Sequence, residues 1–201
     1  SFSKNKNTNE FLFNFINRKR KLKFVNIKTS VLKNSKLEPY AYQTIIRDIT
    51  KEHLVKQKLK EQQKIVEVES LILKKLLENK DIFKNGLDIA NILAKYLGTD
   101  DCVVYAVLNQ KLTQIAATNQ KLDQQKNIKN ALEINIGEGI VGRVAQQKKG
   151  NIIKNTSKEP NYIVDDQIRL SEITVPVLLD DQLIAIIDAE HPKKNYFKKS
   201  Q

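Results

Sequence analysis

The sequence predicts an α+β fold built on a central, mostly antiparallel sheet flanked by helices. Three observations carry this reading. From Thr50 to Leu77 there is neither Gly nor Pro, and apolar residues recur at helical spacing. A second helical stretch stops at Gly98, after which the apolar period changes to two. Ahead of both helices, residues 1–50 alternate aromatic and β-branched side chains with polar ones, the pattern of antiparallel strands.

In residues 1–50, Phe11, Phe13 and Phe15 alternate along a first strand, a second runs through Phe24–Lys28, and a third spans Tyr40–Ile49. Turns are expected at Asn17–Lys21 and Asn34–Pro39. Three strands with no helix before them make a poor free-standing domain. Thr50 then stands as the N-cap of one long helix over 51–78. Its a and d positions at 55, 59, 62, 66, 69, 73 and 76 read Val, Leu, Gln, Val, Glu, Leu, Leu, so five of seven suit a short coiled coil. A solvated surface helix is the competing reading.

A second helix follows Asp81, with Phe83, Leu87, Ala90, Leu93, Ala94 and Leu97 as its apolar face. Cys102–Leu108 and Leu112–Thr118 form a hairpin across Asn109-Gln110. Residues 120–130 read as a loop or a short helix. Leu132–Ile136 is a strand, broken by Gly137-Glu138-Gly139, and Ile140–Gln147 returns to helix. Asn151–Lys154 is a short strand, 156–166 a polar segment, and Ile173–Leu179 with Leu183–Asp188 a closing hairpin.

Composition narrows the function. The net charge of +12 suggests an anionic partner, but it divides as +8 over residues 1–50, +3 over 51–97 and +1 over 98–201. Lysine, isoleucine and asparagine supply 72 of 201 residues, a bias that raises the pI without selecting a partner. The basic run Arg18–Lys23 reads as a charged β-turn rather than a phosphate site. No nucleic acid is expected as a partner. One cysteine excludes a disulfide framework and a multi-cysteine metal site, and no apolar run approaches a spanning helix. No membrane contact by this segment and a cytoplasmic location are expected. A chain of 201 residues with no methionine, opening at Ser1, is expected to be a fragment of a longer protein.

Five pieces then carry a resemblance. They are Gly137-Glu138-Gly139-Ile140-Val141-Gly142-Arg143-Val144-Ala145, Ile152-Ile153-Lys154-Asn155-Thr156, Pro160-Asn161-Tyr162, Ser171–Val177 and Leu183–Asp188. In this order and spacing, and with Asp188–Pro192 and Phe197 behind them, residues 65–201 resemble a GAF domain of the kind found in bacterial sensor histidine kinases. Ile45-Ile46-Arg47-Asp48-Ile49-Thr50 resembles the end of a PAS domain running into a signalling helix. The resemblance implies a partial PAS sheet over 1–50, a signalling linker helix over 51–78, and a GAF domain over 65–201 that lacks its last helix. It implies a small-molecule sensor in a two-component histidine kinase whose output domain lies elsewhere, homodimeric through helix 51–78. A ligand-free dimerisation scaffold, or the sensor of another output such as a nucleotide cyclase, is the alternative.

No catalytic residue, metal site or cofactor is expected within this chain. Gly137, Gly139 and Gly142 either cradle an anion or serve turning and close packing, and no βαβ unit supports a dinucleotide reading. Cys102 reads as a packed small hydrophobe. The GAF proteins that reduce free methionine sulfoxide need several cysteines. Glu172, Asp188 and Glu190 read as carboxylates that hold loops by hydrogen bonds. By family position the ligand-binding candidates are Gly139, Val141, Tyr162, Asp165, Arg169, Ser171 and Thr174, the unknown ligand being a small molecule.

Overall fold

The computed structural model describes residues 8–78, 80–118, 128, 131–164 and 167–198. The chain divides into two compact units, residues 1–66 and 67–201.

The first unit is a three-stranded antiparallel sheet in the order β1-β2-β3, formed by Thr8–Ile16, Leu22–Lys33 and Pro39–Asp48. Both hairpin turns are organised by an asparagine. Asn17 Oδ1 accepts from the backbone N–H groups of Lys19 and Lys21, and Asn34 Oδ1 accepts from those of Lys36 and Glu38. The basic run therefore lies on a tight turn. Register places Phe11 opposite Ile27 and Phe13 opposite Val25, with Ile46 completing the row beside Ile27.

Helix α1, Thr50–Glu78, begins where β3 ends. Thr50 is not its cap in the expected sense. The Asp48 carboxylate accepts from the Thr50 N–H at 2.9 Å, while Thr50 Oγ1 accepts the Phe24 N–H at 3.0 Å. Lys23 donates to Asp48 Oδ2 at 2.7 Å. That contact, followed by the Thr50 bonds, holds the Asp48 carboxyl well below the usual carboxylate range. His53 stacks on Phe24 at 3.9 Å, which makes it a packing residue of the helix start. No residue of α1 is buried.

In the second unit, helix α2 (Ile82–Leu97) is capped at both ends, at Gly98 as its sequence predicts. Asp81 accepts from the N–H groups of Phe83 and Lys84, and Gly98 closes the helix at φ 71°. A six-stranded antiparallel sheet follows, in the order β6-β5-β4-β9-β8-β7. Its strands are Asp101–Leu108 (β4), Lys111–Ala117 (β5), Glu133–Asn135 (β6), Asn151–Ile153 (β7), Ser171–Leu179 (β8) and Gln182–His191 (β9). The turns Asn109-Gln110 and Asp180-Asp181 both have two residues at positive φ, the geometry of two-residue hairpins. The expected loop or helix over 120–130 lies, apart from Ile128, outside the described residues.

Alternation puts Cys102, Val104, Ala106, Ile173 and Ala189 on one face, packed with Ala90 and Ala94 of α2. Val103, Tyr105, Leu112 and Ile186 point to the other face, where helix α3 (Gly139–Gln147) adds Val141, Val144 and Ala145. Cys102 is fully buried, and Phe197 closes the α2 side of the core. Among the described residues, no helix is long and apolar enough to cross a membrane.

Two strands differ from expectation. β8 starts at Ser171 and β9 runs on to His191, so both extend past the apolar run into polar residues. Those residues pair in register, Ser171 with His191 and Glu172 with Glu190, and they are buried.

Candidate functional site

The polar extension of β8 and β9 builds the site. Side chains two residues apart on a strand share a face. Glu172 and Thr174 on β8 therefore stand beside Glu190 and Asp188 on β9, and Asp101 on β4 pairs with Glu190. All five are buried. Over them lie residues 155–164 and 167–170, held at several points. Arg143 of α3 donates to Glu159 at 2.6 Å, the Leu170 N–H donates to the His191 carbonyl, and Thr156 Oγ1 donates to the Arg169 carbonyl.

Between cover and sheet is a cavity. Leu132, Ile134, Ile140, Val141 and Ile163 form its apolar wall, and Tyr105, Tyr162, Glu172, Asp188 and Glu190 supply the polar groups. About 20 Å³ lies open to the centre of a water molecule, little more than one water needs. A larger ligand enters only if wall side chains move.

The polar groups are bonded to one another. Tyr162 Oη donates to Glu190 Oε1 at 2.7 Å and accepts the Arg169 N–H at 3.2 Å. Burial, then the Glu190 charge, pushes the Tyr162 hydroxyl far above its ordinary range, so it stays a donor. Thr174 Oγ1 lies 2.9 Å from Glu172 Oε1 and 2.7 Å from Asp188 Oδ1. Burial, followed by the Glu190 charge, raises Glu172 to about 8. Asp188 is raised well above the carboxylate range by burial and by Glu172. The guanidinium of Arg169 supplies a buried positive charge: its Nη1 is 2.9 Å from Asp101 Oδ2 and 3.6 Å from Glu190 Oε2.

Of the residues the sequence singles out, Val141 and Tyr162 line the cavity. Gly139 sits at φ 62° behind the wall, where an added Cβ would come 2.8 Å from Ile163 Cδ1. Gly137 and Gly142 close the turn on themselves, the Gly137 N–H donating to the Gly142 carbonyl. Thr174 lies under the floor and bridges its carboxyls. Arg169 is 1% exposed and anchors the cover to Asp101 and Glu190. Ser171 Oγ donates to the Lys193 carbonyl and holds the turn after β9. Asp165 lies outside the described residues. From sequence, Glu172, Asp188 and Glu190 read as strand-end carboxylates that hold loops, whereas all three line the cavity. The signal was present, as Glu172-Ile173-Thr174 and Asp188-Ala189-Glu190 each place two polar groups on one strand face. Among the described residues, no group of three His, Cys, Asp or Glu side chains is arranged to hold a metal ion.

The family model described as the GAF domain matches residues 87–201. No curated protein matches the sequence. Among solved structures, the chain is similar to the GAF domain of a phosphoenolpyruvate-protein phosphotransferase from Acinetobacter, at 18% identity, TM-score 0.57, covering 66% of this chain and 80% of that one. The corresponding GAF domain from Coxiella burnetii gives 14% identity and TM-score 0.58, with 69% and 83% covered. Free methionine-R-sulfoxide reductase from Neisseria meningitidis, solved with its substrate, gives 18% identity and TM-score 0.57, with 70% and 78% covered. At these identities the likeness is one of fold.

Proposed function

The chain belongs to the GAF domain family, a family of small-molecule sensing and signalling modules, and we propose that it senses a small molecule for a larger two-component histidine kinase. The observation that carries this is the cavity between α3, the cover that supplies Tyr162 and Ile163, and the sheet, whose apolar wall faces a floor of Glu172, Asp188 and Glu190. A wall of this kind with a few converging polar groups is the usual form of a ligand site. The floor suits a ligand that donates hydrogen bonds or carries positive charge. Cys102, the one cysteine, is buried on the α2 side of the sheet, which favours binding over redox chemistry.

In this reading residues 1–50 are the last strands of a PAS domain. Support comes from the three-stranded antiparallel sheet and its direct run through Asp48-Ile49-Thr50 into a helix. α1 is then the signalling helix, and ligand occupancy shifts the population of its packing states. A cytoplasmic location goes with this role. The test is native mass spectrometry of the whole chain. A retained small molecule is expected in the wild type and its loss in Val141→Phe, which fills the wall. A wild type that carries nothing, and whose melting is unmoved by a metabolite panel, would sink the sensing role.

The second reading, a ligand-free dimerisation scaffold, is favoured by the small size of the cavity and by α1. Val55, Leu59, Val66, Leu73 and Leu76 recur at a and d spacing on this helix and are 43–61% exposed. Both readings expect a homodimer through 51–78. Leu73→Glu should shift the chain from dimer to monomer by at least tenfold in dissociation constant, read by sedimentation equilibrium. A wild type that sediments as a monomer at high concentration would remove the dimer from both.

A further inference from the structure

The cavity floor holds more carboxyl groups than cations. Glu172, Glu190 and Asp101 form one cross-strand row over β8, β9 and β4, and Thr174 with Asp188 forms the next. Like charges placed directly opposite on a sheet repel. Facing this cluster are Tyr105 from β4, Glu159, Tyr162 and Arg169 from the cover, and Arg143 from α3. Arg143 pairs with Glu159, and Arg169 pairs with Asp101 and Glu190. Glu172 and Asp188 meet Thr174 and each other.

That last arrangement counts protons by geometry alone. A threonine hydroxyl has one hydrogen to donate, yet Oγ1 of Thr174 is within 2.9 Å of Glu172 Oε1 and 2.7 Å of Asp188 Oδ1. If the hydroxyl donates to one carboxylate, the other oxygen stands at hydrogen-bond distance from a lone pair. It must bring its own proton, or a buried oxygen–oxygen contact is left without a hydrogen between.

We propose that Glu172, Thr174 and Asp188 form a one-proton switch beneath the cavity: with the proton in place the three oxygens are bridged, and its loss loosens the end of β8 and β9 that carries the Tyr162 cover. The switch goes beyond the sensing role and does not depend on it, since it concerns the floor itself. The pair titrates as a unit. Burial and the Glu190 charge place the release of the proton near pH 8. An unfolded chain ionises both carboxyls near pH 4. The proton-bearing pair therefore favours the folded state most at low pH, and this contribution declines as pH rises from about 4 to about 8. The cover would then respond to pH in the range where cells operate.

The experiment is carboxyl-carbon NMR of the whole chain, labelled at Glu and Asp side chains, titrated from about pH 4 to about pH 10. One side-chain carboxyl should titrate with a midpoint near 8, and that midpoint should vanish in Glu172→Gln, which retains a hydrogen-bond donor. A wild type in which every carboxyl titrates below about pH 6 overturns the proposal without recourse to any variant. Hydrogen exchange over residues 159–164, corrected for intrinsic exchange, should rise several-fold in the wild type across the same midpoint. Exchange there that does not change across a midpoint near 8 overturns the loosening step.

Discussion

Arg169→Gln is expected to destabilise residues 67–201 by about 3–5 kcal/mol, the cost of removing one partner from a buried ion pair. The guanidinium is 1% exposed and reaches Asp101 at 2.9 Å and Glu190 at 3.6 Å. Without it, two buried carboxylates lose their positive partner beside Glu172 and Asp188. Glutamine offers a donor but no charge, so the deficit should be mainly electrostatic. Urea unfolding at about pH 7 checks the size of the loss. Adding Asp101→Asn to Arg169→Gln should recover part of the loss, and a double-mutant cycle gives the coupling directly. A deficit below about 1 kcal/mol, with no coupling in the cycle, would mean that Arg169 is not the charge that holds the cover to the sheet.

Arg169 also shows where a sequence stops being legible. Helices, hairpins and caps depend on neighbours, and those were readable: Asp81 and Gly98 bound α2, and Asn109-Gln110 and Asp180-Asp181 turn where expected. The first three strands follow their alternation. The long helix also follows its periodicity, although its start is tied by Asp48 accepting from the Thr50 N–H and hydroxyl. What failed to appear in local pattern were polar residues whose burial depends on partners far along the chain. Arg169 looks like a solvated lid residue until Asp101, from the strand after α2, lies against it. Glu172 and Glu190 look like strand ends because charge normally marks the limit of a buried strand. Here Tyr162 and Arg169 accompany Glu190, and a retained proton accompanies Glu172, so both strands continue. The apolar wall was legible in part, through Val141. Its polar floor was legible only as separate polar pairs on two strand faces, because strand pairing and not sequence spacing brings them together.

Gly142→Ala should be destabilising, against the ordinary rule that alanine stabilises a helix by about 1 kcal/mol relative to glycine. Gly142 lies inside α3, and a Cβ there would come 2.4 Å from the Asn135 carbonyl oxygen and 3.1 Å from the Gly137 nitrogen. Both neighbours are backbone, so relief requires moving β6 or the turn away from the helix, and overpacking of this kind costs about 1–3 kcal/mol. The helix gain of about 1 kcal/mol offsets part of this, leaving a net loss of up to about 2 kcal/mol, opposite in sign to a propensity argument. The turn itself depends on the approach, since the Gly137 N–H donates to the Gly142 carbonyl at 2.8 Å. Gly137→Ala offers the contrast: its Cβ would have room, with Gln146 side-chain atoms at 3.6 Å and beyond, but its φ of 94° suits glycine. Denaturant unfolding of the two variants should therefore separate a steric cost at 142 from a conformational cost at 137. Val141 and Ile140 lie between the two glycines and line the cavity, so displacing α3 should also loosen the wall. If Gly142→Ala instead raises stability, the helix does not approach the turn this closely. The spacing of the glycines would then need an explanation other than packing.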